Sequence, residues 1–379
     1  MRRVVFFFSV FSVVPSLLFG WGGVGHKFIS KNAVIHLPLS MQKFTAQQSY
    51  FEIHASDADT RIYQVTPKDT AMFSEQYRHY LDVDDYANFQ RVPRSFDSLI
   101  AVYGWNRVKE NGTNPWTVVW VMDSLTAQLK RGDWNAAYQT AADLGHYVAD
   151  PHQPLHAARN YDGKETGNNG IHSRYESKMI EQFQDQLSVT KDSVKYIDDV
   201  YGFMFAIILK SNSLVDSILH ADNLAKAQSG WSGSGTAPTG YYDVLWQQLG
   251  EMTKMQIQSA TIDLASLWYT AWVNAGLLST TTNVKKEKTQ KPKSFNLQQN
   301  YPNPFNPRTK IEFDIAESVK TTLDIYSVDG KLICELVNAT LEAGSYSTEW
   351  DARNVSSGLY FYKLDAGEYS DTKKLVIVK

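Results

Sequence analysis

A chain of 379 residues with one cysteine, Cys334, cannot close a disulfide within itself. Its stability has to come from core packing or bound metal, even in an oxidising compartment. Histidine is absent from the last 159 residues, although nine stand at or before position 220, so imidazole chemistry is confined to the first part of the chain. A basic excess is missing too. At a net charge of −3 no global field draws in nucleic acid or an anionic membrane, and any polyanion contact has to be local. The apolar run at 4–19 is too short for a comfortable bilayer span, is interrupted by Pro15 and follows Met1, Arg2 and Arg3, which makes 1–20 a signal peptide. Cleavage after the small Gly20 makes Trp21 the mature N-terminus. Leu18 departs from the usual small residue two positions before the cut, and an uncut membrane anchor is the competing reading.

What is present falls into three stretches. Residues 21–278 carry helical patterns. At 133–149 an Asp suited to an N-cap precedes Trp134, Ala137, Tyr138, Ala141, Leu144 and Val148 at helical spacing, and Pro151 stops the run. A second long pattern covers 241–275, while 228–240 is rich in Ser, Gly and Thr and reads as a loop. Residues 279–293 are polar, with no apolar period, and read as a linker. From 294 to 379 short alternating runs at 310–315, 322–326, 360–364 and 374–378 are separated by Asp329-Gly330, Ala343-Gly344 and Ser357-Gly358. This predicts a small all-β sandwich after a mainly α domain.

Five histidines and three acids between His26 and Glu176 have metal-ligand spacing. His146 with Asp150, and His172 with Glu176, are i,i+4 pairs that place imidazole and carboxylate on one helix face, a donor set zinc prefers. One such pair alone is more often a surface salt bridge. Two pairs joined by a Pro-flanked turn carrying His156 point to metal.

The string Trp21-Gly22-Gly23-Val24-Gly25-His26, with Asp59, Arg78-His79-Tyr80, the 146–156 run and His172 to Glu176, resembles the trinuclear zinc phosphodiesterases. That superfamily holds bacterial zinc-dependent phospholipases C and fungal single-strand nucleases of the S1/P1 type. The resemblance covers roughly 21–180, with a weaker match near 256–276. It implies a helical catalytic domain binding three Zn2+. One ion would take Asp59, His79, His146 and an oxygen of Asp150. A second would take His156, His172 and Glu176, with positions left open for water. A third would take the α-amino and carbonyl groups of Trp21, His26 and the other Asp150 oxygen, which couples activity to signal cleavage. Catalytic roles fall to Asp59 and to Arg61, which stands two residues on and is either a clamp for a phosphate oxygen or a surface arginine.

Asp57 competes with Asp59. His36, His54, His152 and His220 fall outside the matched positions and read as structural or solvated, His152 being the one suited to orient a ligand. Asp82 and Asp84 are acids that could support the centre, and Tyr80 either stacks a base or packs in the core.

The substrate stays open. Glu176 and the short step from His156 to His172 resemble the phospholipase branch, to which the sequence leans slightly. The step from Trp21 to His26 and the 150–156 run resemble the single-strand nucleases. A secreted binding module with a structural zinc site is the reading from another class. Residues 300–307 (NYPNPFNP), Tyr326 to Lys331, Trp350-Asp351 and Ser357 to Tyr362 closely resemble the C-terminal sorting domain of type IX secretion substrates. This implies a secreted or cell-surface protein, exported through the periplasm, with the export machinery as its partner and a phosphodiester as its substrate. No stable protein partner is inferred.

Overall fold

The computed structural model describes residues 21–61, 74–277, 285–288, 292–330, 332–352 and 355–379. The signal peptide expected at 1–20 lies outside them, as does most of 279–293.

The first part is helical. Its principal helices are α1 (Gly22–Ala33), α2 (Asp57–Arg61), α3 (Asn114–Arg131), α4 (Trp134–Ala149), α5 (Val200–Asn212), α6 (Val215–Ser229) and α7 (Thr239–Asn274). The 36-residue α7 buries Leu245, Leu249, Ile257, Leu264 and Trp268 and packs against α1, α3, α4 and α6. Phe51 meets Trp268 at 4.5 Å, and Phe44 lies edge-on to both Trp268 and Trp272. Aromatic packing of this kind supplies what disulfides would supply elsewhere.

Helix α4 begins as its sequence requires, with the Asp133 carboxylate accepting from the Ala136 N–H at 3.4 Å. It ends at Ala149, and the chain tightens into a 3₁₀ turn at Asp150–His152 around Pro151. The Asp150 N–H still donates to the His146 carbonyl. The i,i+4 relation between the two side chains therefore survives the change of helix type.

The C-terminal part is two four-stranded antiparallel sheets, ordered β1-β6-β3-β2 and β5-β4-β7-β8. The strands are β1 (Lys285–Lys288), β2 (Asn296–Leu297), β3 (Arg308–Ile315), β4 (Val319–Ser327), β5 (Leu332–Leu341), β6 (Gly344–Asp351), β7 (Gly358–Ala366) and β8 (Tyr369–Ile377). Alternate residues fill a separate core, among them Ile311, Phe313, Ile325, Trp350, Tyr362 and Ile377. One expectation needs correcting. Within the segment read as a linker, β1 pairs with β6, Lys285 opposite Ser347 and Lys286 opposite Tyr346. The lysine-rich run has no apolar period because it is an edge strand, where lysines are tolerated and discourage further pairing.

Candidate metal centre

The N-terminal string is built around close approach. Trp21 precedes α1, is fully buried, and donates its indole N–H to the Ala149 carbonyl at 2.9 Å, beside Asp150. Its own carbonyl accepts from Gly25 N–H at 3.1 Å. A Cβ on Gly25 would fall 2.6 Å from the Trp21 Cβ; one on Gly22, where φ is +54°, would fall 2.8 Å from Ser177 Oγ. Glycine at both positions lets α1 start against the tryptophan and bring in His26 one turn later.

Asp59 in α2, His79, His146 near the end of α4 and Asp150 in the following turn converge. His79 Nδ1 lies 3.0 Å from Asp150 Oδ2 and 3.1 Å from His146 Nε2. His146 Nε2 lies 3.3 Å from Asp59 Oδ1. The His146 ring donates from Nδ1 to the Ala55 carbonyl at 2.8 Å, which directs Nε2 inward. The other Asp150 oxygen, Oδ1, lies 3.3 Å from His26 Nε2, and the His26 and His146 rings stack at 3.8 Å. Asp150 thus faces two sets of ring nitrogens with its two oxygens.

His156, His172 and Glu176 form a second cluster. Glu176 Oε2 lies 2.8 Å from His172 Nε2 and 3.6 Å from His156 Nε2. His156 donates from Nδ1 to the His79 carbonyl at 3.0 Å. Just after His172 the backbone opens into a wider π turn, Arg174–Met179, which carries Glu176, a feature frequent at functional sites and not legible from i,i+4 spacing. Arg174 fixes this turn by donating to Asp222 at 2.9 Å, Tyr241 at 3.0 Å and the Asn169 carbonyl at 2.7 Å.

Every one of these ligand-type residues is buried. Burial disfavours charge on His146, but Asp59 and Asp150 outweigh it and hold the imidazole up at about 10. Burial also works against charge on His156, where Glu176 and Asp150 win and hold it at about 9. Burial, with His146 alongside, pushes His26 down. Asp150, despite burial, is held well below the carboxylate range by His146, His26 and His79. Among the described residues, both His26 nitrogens, both Asp59 oxygens, Asp150 Oδ1, His156 Nε2 and His172 Nε2 are buried without a hydrogen-bond partner. Polar atoms stranded in this number are costly unless something else satisfies them. The sets His26/Asp59/His146, His79/His146/Asp150 and His156/His172/Glu176 each bring ligand atoms within 4.8 Å of one another. Imidazole plus carboxylate is a donor set that fits zinc.

The remaining sequence expectations resolve residue by residue. Asp59 is 1% exposed and joins the centre, whereas Asp57 is half-exposed and pairs with His54 at 2.7 Å. His152 is buried, bridging the Val148 carbonyl at 2.8 Å and Asp263 at 2.9 Å. His36 bridges Asp192 and Thr261, and His220 is exposed. Arg61 is not directed at the ligand atoms: its three nitrogens donate to Glu75, Asp143 and Tyr147.

A cavity of about 130 Å³ opens beside the second cluster, lined by Tyr80, Asp82, Glu110, Leu155 and Tyr161 together with His156 and His172. Tyr80 therefore faces this cavity, donating its hydroxyl to the Glu110 carbonyl at 3.1 Å. Burial, with Asp84 and Asp85 alongside, raises the Asp82 carboxyl to about 8. Sequence reasoning passed over Glu110 and Tyr161, which only the tertiary fold brings here. It also passed over Gln153, whose amide donates to Glu176 at 3.0 Å and whose place inside the histidine run was a usable signal.

Residues 299–378 match the secretion system C-terminal sorting domain, which marks the chain for export and for secretion or cell-surface attachment. A probable serine protease of Bradyrhizobium tropiciagri is 24% identical over an alignment of 268 positions that covers 53% of this chain and only 32% of that protein's length. Among solved structures, an alpha-toxin of Clostridium perfringens from an avian strain aligns over 93% of this chain and 91% of its own, at 10% identity and a TM-score of 0.39. The alpha toxin of Clostridium absonum aligns over 95% and 98%, at 10% identity and a TM-score of 0.36. Residues 21–301, which include every residue of the centre and of the adjoining cavity, match the S1/P1 nuclease family, and the chain belongs to that family.

Proposed function

We propose that this is a secreted zinc-dependent phosphodiester hydrolase acting on single-stranded nucleic acid. The observation that carries the reading is the concentration of unpartnered, buried imidazole and carboxylate atoms around Asp150, beside a cavity walled by two tyrosines and two acids. Asp59, His79, His146 and Asp150 would hold one ion, and His156, His172 and Glu176 a second. His26, Asp150 and the freed terminus of Trp21 would hold a third. Bound zinc supplies a nucleophilic water at neutral pH and a Lewis acid for the phosphate oxygens. The chain's own part is orientation. The Ala55 and His79 carbonyls fix the tautomers of His146 and His156, and Gln153 steadies Glu176. Tyr80 and Tyr161 offer faces on which an unpaired base can stack, and Asp82 a group for its edge.

A phospholipase C reading comes second. Glu176 and the short step to His172 resemble that branch, and two tyrosines with two acids also suit a quaternary ammonium head group.

Mature protein beginning at Trp21 and loaded with zinc decides between them. We expect chelator-sensitive cleavage of a single-stranded oligonucleotide to outrun release of phosphocholine from short-chain phosphatidylcholine. The reverse ranking would move the chain to the phospholipase reading. Tight zinc binding with neither activity would leave a binding module whose zinc is structural.

The third set yields its own prediction. One extra residue before Trp21 converts the α-amine into an amide, which binds metal poorly. Zinc content should fall by one equivalent, and turnover by roughly 10- to 100-fold or more, the range seen when support for a metal ligand is lost. Metal analysis and kinetics on the extended protein check it; unchanged values would remove Trp21 from the ligand set.

A further inference from the structure

Arg61, Glu75, Asp143 and Tyr147 form a polar unit on the outer side of His79. Glu75 Oε1 accepts from the Tyr147 hydroxyl and lies 3.7 Å from His79 Nε2. Glu75 Oε2 accepts from Arg61 Nε at 3.3 Å. Arg61 is itself held by Asp143 at 3.1 Å and by the Tyr147 oxygen at 3.3 Å, and Gln139 donates to the same Asp143 oxygen at 3.2 Å. His79 Nε2 is buried and makes no hydrogen bond among the described residues, Glu75 standing just beyond that range, while its Nδ1 faces Asp150 and His146.

From this arrangement we infer that Glu75 is a positioning residue for His79, with Arg61 and Tyr147 serving to hold Glu75 rather than to touch substrate. The inference rests on the metal-centre reading above. A ring that offers Nδ1 to a cation must carry its proton on Nε2, and that proton needs an acceptor. Glu75 is the carboxylate that faces it. Arg61 and the tyrosine hydroxyl fix the carboxylate's plane, so the ring is held from behind by a side chain that is itself held from two directions. Tyr147 follows His146 directly in α4. The same turn of helix therefore delivers one ligand and the brace for another.

The test measures zinc affinity by competition with a chelator, together with the unfolding midpoint of the metal-free protein. Glu75→Gln should weaken one zinc equivalent by roughly 10- to 100-fold and leave the metal-free midpoint close to wild type. Tyr147→Phe, a milder change that keeps the packing, should weaken the same equivalent several-fold. Arg61→Ala should follow Tyr147→Phe, with KM unchanged once zinc is saturating. Wild-type affinity in both Glu75→Gln and Tyr147→Phe would overturn the inference. So would a raised KM at full zinc occupancy in Arg61→Ala, which would make that arginine a substrate contact. Wild-type protein that binds no zinc would instead remove the metal centre itself, and this inference with it.

Discussion

Asp150→Ala should cut kcat by roughly 10²- to 10³-fold, the scale of losing one source of charge stabilisation in the transition state, because it removes the carboxylate that two of the proposed ions share. The expectation follows from how many partners one carboxylate serves. Oδ2 faces His79 at 3.0 Å and His146 at 3.5 Å, and Oδ1 faces His26 at 3.3 Å. Removing it leaves three imidazoles crowded together without the charge that lets dications coexist there. Glu176→Ala should be milder, since among the described residues Glu176 meets only His156, His172 and Gln153. Metal analysis of the two variants beside wild type is the direct check. If Asp150→Ala retains a full complement of zinc, no carboxylate is shared between sites and the proposed arrangement is wrong.

Asp222→Ala should be the most destabilising single change away from the centre, by roughly 3–5 kcal/mol, the cost of leaving buried cations without their partner. Asp222 is fully buried and accepts from Arg174 at 2.9 Å, from Asn168 at 2.7 Å and from the Tyr241 hydroxyl, with Lys226 at 2.5 Å. Burial works against its charge, but Lys226, Tyr241, Asn168 and Arg174 together hold its pKa below the ordinary value. The sign follows from linkage. A depressed carboxylate stabilises the fold above its unfolded pKa of about 3.9 and loses that contribution as pH falls through the folded value. Wild type and variant should therefore differ fully at neutral pH and converge in acid below about pH 4. Equal unfolding midpoints at neutral pH would show that the network contributes nothing net. Because Arg174 lies between His172 and Glu176, the same variant should also loosen the second cluster, visible as weaker zinc retention before any unfolding.

Legibility in the sequence followed the range of the interactions. The helix at 133–149, its Asp133 cap and its stop at Pro151 rest on contacts within a few residues, and the structure has them where the pattern put them. The pairing of His146 with Asp150 is equally local. Asp59 and Asp57 were harder to separate, since both stand in the first turn of a five-residue helix and only the packing against α4 decides which one is buried. Tyr161 and Glu110 carried no signal at all, and Glu75 only its four-residue step to His79. Each acquires its surroundings from segments far away in the chain, as Glu75 does from Tyr147 72 residues later. For Arg61 the short step from Asp59 was visible, but the three acceptors that engage it in the structure were not. The strand at Lys285–Lys288 depends on an edge that β6 provides some sixty residues on.

His156 donates from its ring to the His79 carbonyl at 3.0 Å, and the His156 carbonyl accepts from the Leu81 N–H at 3.0 Å. This short stitch ties a histidine of one cluster to the main chain that carries a histidine of the other. The two clusters therefore share one frame, held by hydrogen bonds to the main chain at His79 and His156. Under the proposed function, substitutions around the tyrosine-walled cavity would change which group is seated beside a phosphate and leave the spacing of the two clusters untouched.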